Sequence, residues 1–69
     1  MNVILYSTHC PRCVVLEEKL EDADIEFSIV EGEEAENVIK ENGFMTAPLL
    51  KVDDEFMDFG NANKWINSL

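Results

Sequence analysis

The chain has 69 residues, 46% of them hydrophobic and 9% aromatic, and carries fifteen acidic against five basic side chains, for a formal net charge of -10. A chain this short buries only about 60% of the surface its unfolded form exposes, so residues 1–69 hold one domain and exclude a second. The apolar content is too high for a disordered tail, no apolar run is long enough to span a bilayer, and no basic stripe exists to neutralise a phosphate backbone.

The amino terminus, Met1-Asn2-Val3-Ile4-Leu5-Tyr6, lacks the basic start and the longer apolar run of a targeting segment. A soluble cytoplasmic monomer is expected, with no nucleic-acid or membrane partner. Val3-Ile4-Leu5-Tyr6 reads as a buried central strand running into a loop at Ser7-Thr8-His9. A helix follows at once, because Pro11 suits a first helical position, where its missing N–H would have no partner anyway. Cys13, Leu16 and Leu20 then fall at helical spacing, and Cys10 falls at the N-cap.

Ile25 to Val30 alternates apolar and polar residues and predicts a second strand, parallel to the first because a helix separates them. From Glu33 to Asn42, Ala35, Val38 and Ile39 share one helical face, and Gly43 is placed to end the helix in a left-handed conformation. Leu49-Leu50-Lys51-Val52 and Glu55-Phe56-Met57-Asp58 flank Asp53-Asp54 as a β-hairpin without the usual turn glycine. Asn61 to Leu69 carries Ala62, Trp65, Ile66 and Leu69 at helical spacing, an apolar stripe for the sheet. The order β-α-β-α-β-β-α predicts an α/β fold, a four-stranded mixed sheet with three helices.

Cys10-Pro11-Arg12-Cys13 carries the chemistry. A helix start supplies unpaired N–H groups and a positive dipole end, which favour a thiolate. Cys10 is the exposed nucleophile by position, and Cys13, one turn on, is the resolving thiol. Two cysteines at this spacing close too small a loop to constrain an unfolded chain much, so the pair is explained by reactivity rather than stapling. A thiolate that attacks a disulfide needs a second thiol to release the product, and no metal or prosthetic group is required. Zinc would need four ligands where the chain offers only Cys10, Cys13 and His9. Arg12 places a positive charge beside Cys10 and can meet an acidic ligand. His9 is weighed for proton transfer and set aside, since adjacent side chains point apart. Acidic residues are absent from Met1 to Leu16, Asn42 to Val52 and Phe59 to Leu69, the windows holding the chemistry.

Thr46-Ala47-Pro48 precedes a predicted strand, where proline marks an edge, a start or a cis bond. With Tyr6-Ser7, Cys10-Pro11-x-Cys13, the hairpin and the Gly60-led helix, it resembles glutaredoxins of the thioredoxin superfamily over nearly the whole chain. The resemblance implies a cis Pro48 beside the reactive cysteine, with Thr46 and the Ala47 backbone offered to a bound substrate. It also implies glutathione as reductant, with a disulfide-containing or glutathionylated protein as substrate. Two departures bear on that reductant. Ser7 and Thr8 stand where the family often has a basic residue, and Phe59-Gly60-Asn61-Ala62 lacks the carboxylate that would bind glutathione's amino group. The N–H groups near Gly60, Asn61 and Ala62 remain to hold a glutathione carboxylate. The same departures resemble glutaredoxin-like hydrogen donors to ribonucleotide reductase, which are recharged by a thioredoxin reductase. A module holding an iron-sulfur cluster or zinc through Cys10 is the reading from a different class.

Overall fold

The computed structural model describes residues 2–69; Met1, part of the expected domain and of the acid-free first window, lies outside them. The elements run β1 (Val3–Ser7), α1 (Pro11–Asp22), β2 (Ser28–Glu31), α2 (Gly32–Glu41), β3 (Leu49–Val52), β4 (Glu55–Met57) and α3 (Phe59–Asn67). They form one four-stranded sheet in the order β2-β1-β3-β4. β1 pairs parallel with β2 and antiparallel with β3, and β3 pairs antiparallel with β4, so the sheet is mixed as expected.

The period-two alternation of β1 sorts its side chains onto two faces. Val3 and Leu5 join Leu16 and Leu20 of α1, Leu50 and Val52 of β3, and Ala62 and Ile66 of α3. Tyr6 packs on the other face with Ala35 and Ile39 of α2 and Leu49 of β3, and its ring lies 6.3 Å from that of Phe56. The sheet is thus covered on both faces, with α1 and α3 on one side and α2 on the other. Leu5, Leu16, Leu20, Leu49 and Leu50 are fully buried, each worth about 1.5–3 kcal/mol of transfer from water. A hydrogen bond from Lys19 Nζ to Asn63 Oδ1 ties α1 to α3.

Several element boundaries differ from the sequence reading. β2 begins at Ser28 rather than Ile25, because pairing with β1 starts at Ile4 opposite Ser28. The Ile25 N–H instead closes the end of α1 on the Leu20 carbonyl, and Ile25 and Phe27 pack against the α1/α3 core from a loop. α2 begins one residue early, at Gly32, whose φ of +69° turns the chain sharply out of β2. Gly43 has the left-handed φ expected of it, +79°. The β3–β4 turn works without glycine because Asp53 takes φ +55° and exchanges two hydrogen bonds with Asn2. Finally, α3 spans Phe59–Asn67, not Asn61–Leu69, since Asp58 leaves the hairpin to cap it; Leu69 is 68% exposed and outside the apolar stripe.

Candidate functional site

The buried end of β1 delivers the chain into Thr8-His9-Cys10 and then directly into α1. Cys10 is the N-cap, in extended backbone geometry, and its Sγ accepts the Cys13 N–H at 3.2 Å. Its carbonyl accepts the Val14 N–H at 3.1 Å, the first closed turn of the helix. Cys10 is half-buried and Cys13 is buried, and both are free thiols. One sulfur is therefore open to a ligand at the positive end of α1, and the other lies beneath it.

Burial is the largest single influence on Cys13 and pushes its thiol up. Hydrogen bonds from the Cys10 side chain, the Thr8 backbone, the Ser7 hydroxyl and the Cys10 backbone oppose it and bring the group below its ordinary value of 9.0. The two sulfurs belong to one hydrogen-bonded set. Ser7, the buried polar residue of this region, also accepts the His9 N–H at 3.1 Å.

The Ala47–Pro48 peptide bond is cis, and Pro48 is fully buried at the start of β3. Thr46 and Ala47 join Thr8, Cys10, Pro11 and Arg12 around an open cleft of about 450 Å³. Arg12 is the one charged residue lining it, and its guanidinium lies 5.6 Å from the centre of the Phe59 ring. A smaller cleft of about 160 Å³ shares Thr8, Thr46 and Ala47 as walls and adds Ile39, Lys40, Glu36 and Met45. The acid-free surroundings read from the sequence thus hold for the first cleft, while Glu36 reaches the second.

This overall arrangement has solved counterparts. No family model matches the sequence, and neither does any curated protein. NrdH-redoxin from Escherichia coli, a glutaredoxin-like protein with a thioredoxin-like activity profile, superposes with a TM-score of 0.82. The match has 20% identity and covers 100% of this chain and 95% of that one. The fold is thioredoxin-like. A mutant of the thioredoxin-like protein BC3987 gives a TM-score of 0.71 at 19% identity, covering 83% of this chain and 84% of that one.

Within this thioredoxin-like frame, Cys10, Arg12, Thr46 and Ala47 line one cleft, while Cys13 and Pro48 are buried. Gly60 and Asn61 do not line the cleft. Two of the three donors expected there for a glutathione carboxylate are used inside the chain: Asn61 N–H donates to Asp58 Oδ1 at 2.9 Å and Ala62 N–H to the Asp58 carbonyl at 2.9 Å. An aspartate occupies the helix end where an incoming anion was expected. Sequence reasoning missed this because it placed Asp58 in the hairpin; Asp three residues before Asn61 is an N-cap signal that would have found it. His9 takes φ +61° and turns outward, its Nε2 3.0 Å from Glu31 Oε2, both side chains well exposed. Thr8 and Phe59 were not singled out for the site and both belong to its surroundings. Among the described residues no cluster of three metal-ligating side chains occurs, and no helix is long and apolar enough to cross a membrane.

Proposed function

We propose that the protein is a dithiol thiol-disulfide oxidoreductase acting through Cys10 and Cys13. The observation that carries this reading is the half-buried Cys10 sulfur on the first turn of α1, hydrogen-bonded to the Cys13 N–H and opening into the cleft beside Thr46 and Ala47. The Cys10 thiolate attacks one sulfur of a substrate disulfide. A bond forms between Cys10 Sγ and the attacked sulfur, the substrate S–S bond breaks, and the other substrate sulfur leaves as a thiolate that takes up a proton. The positive end of α1 faces the charge on the Cys10 sulfur during this exchange. Cys13 then loses its proton and attacks Cys10 Sγ, releasing the second substrate thiol and leaving a Cys10–Cys13 disulfide. Two electrons have passed to the substrate, and a two-electron reductant restores the dithiol.

A thioredoxin-reductase-type flavoenzyme suits that last step better than glutathione. The favouring observation is Asp58, whose carboxylate already takes the α3 donor that a glutathione carboxylate would use, with no basic residue at Ser7 or Thr8 to compensate. The likeness to NrdH-redoxin, with its thioredoxin-like activity profile, supports the same choice, and a hydrogen donor to ribonucleotide reductase is its narrower form. Cytoplasmic location and action as a single domain belong to this reading.

The decisive experiment is an NADPH-coupled disulfide reductase assay, run with glutathione plus glutathione reductase and separately with thioredoxin reductase. Turnover with the second enzyme is expected, and Cys10→Ser should lower it by at least about 1000-fold. Serine is itself a good N-cap, so the variant keeps the start of α1 while losing the nucleophile. Wild-type turnover by Cys10→Ser, or purification of the native chain with a bound iron-sulfur cluster or zinc, would overturn the proposal.

A further inference from the structure

The two clefts adjoin, sharing Thr8, Thr46 and Ala47 as walls, and Cys10 lines the larger one. Their remaining walls differ in chemistry. At the larger cleft stands Arg12, in a chain where acids outnumber bases fifteen to five, yet among the described residues the one ion pair is His9–Glu31. The four lysines, all among the described residues, likewise lack a carboxylate partner, and what distinguishes Arg12 is that it alone of the five bases lines the cleft that holds Cys10. It is also not loose: the face of Phe59, the first residue of α3, holds the guanidinium 5.6 Å from the ring centre. In the smaller cleft Met45, a large apolar side chain 95% exposed, and Ile39 supply apolar wall, beside one charge of each sign from Glu36 and Lys40. A lone exposed apolar residue is ordinary, but Met45 borders a cleft, and methionine adapts readily to varied apolar partners.

We infer that the two clefts act as one groove, which selects protein disulfides in extended segments that carry a carboxylate on one side of the attacked cysteine and an apolar side chain on the other. Arg12, positioned by Phe59, receives the carboxylate, and Met45 covers the apolar residue. The inference rests on the exchange chemistry proposed above and adds to it a substrate class and two specificity-determining residues.

The test uses the reduced full chain and disulfide-linked peptides in single turnover. The peptides carry Glu, Gln or Lys next to the cysteine, before it in one series and after it in another, with Leu or Ser on the opposite flank. In one of the two series the rate constant should fall in the order Glu, Gln, Lys, with Glu over Lys by about tenfold at low salt and less as salt screens the pair. Leu should outpace Ser on the opposite flank. Arg12→Gln should bring the Glu-to-Lys ratio close to one, Arg12→Lys should keep part of it, and Met45→Ser should remove the Leu preference. Ratios between peptides cancel any change in the intrinsic reactivity of Cys10, which would move all rates together. Equal wild-type rates across the set, an Arg12→Gln variant with the wild-type ratio, or a glutathione mixed disulfide that outpaces every peptide would overturn the inference while leaving the exchange chemistry standing. Failure to reduce any disulfide would instead overturn the exchange reading beneath it.

Discussion

The first turns of α1 and α3 share a geometry: the side chain of the residue before the helix accepts the N–H of the third helical residue. At α1 the acceptor is Cys10 Sγ, 3.2 Å from the Cys13 nitrogen, and at α3 it is Asp58 Oδ1, 2.9 Å from that of Asn61. The first acceptor is an atom that forms covalent bonds, set beside a cleft with no acidic lining. The second is a carboxylate, the preferred partner of a helix start, and it occupies the Asn61 donor and sets a negative charge at that end. The cap that stabilises a helix best is the one that closes it to ligands, and the weaker sulfur cap keeps the other end available for chemistry. Arg12 over Phe59 joins the two starts across the helix pair.

The comparison breaks most visibly at the sulfurs. Cys13→Ser should stall the reaction at the Cys10–substrate mixed disulfide and lower turnover on protein disulfides by about 100-fold, with the trapped adduct seen as an intact-mass increase. Release of product at the wild-type rate would mean that Cys13 resolves nothing. At the closed end, Asp58→Ala should cost about 1 kcal/mol, a drop in Tm of about 4–8 °C for a domain this size, with Asp58→Asn closer to wild type. A thermal melt of the three proteins checks this order.

The pH dependence sharpens the same contrast. Cys13 lies below its ordinary value of 9.0 in the folded chain, so folding favours its thiolate. That stability is fully present above 9.0 and is lost as pH falls through the lowered folded value. The stability of the reduced wild type relative to Cys13→Ser should therefore rise with pH and level off above 9.0, read from denaturant midpoints. The smallest effect belongs to the third helix start. Glu31, N-cap of α2, makes no capping hydrogen bond and turns to His9 instead. Both side chains are exposed, so Glu31→Gln should change stability by less than about 0.5 kcal/mol.

Much of this was readable from residue patterns. The apolar run of β1, the Cys13, Leu16 and Leu20 spacing of α1 and the left-handed Gly43 are consequences of local periodicity and backbone sterics, and they hold in the structure. The cysteine pair at a strand-to-helix junction was legible for the same reason, and the cis bond at Pro48 followed from the resemblance to glutaredoxins. What escaped depends on contacts between distant segments. The stack of Arg12 on Phe59, the meeting of Thr8 with Thr46 and the departure of Ile25 and Phe27 from β2 are set by how helices and strands pack, not by any window of neighbouring residues. Asp58 is a different case, a local signal passed over because the hairpin was extended one residue too far.

The hydroxyl of Ser7 has two ends in use. It accepts the backbone N–H of His9, whose left-handed turn aims the chain at Cys10, and from its buried position it is one of the groups whose hydrogen bonds lower the Cys13 thiol. A single oxygen therefore holds the shape of the loop and helps to favour the thiolate of the deeper cysteine. The alphabet open to evolution at this position is correspondingly short, because a side chain without a hydroxyl would surrender both ends in one step.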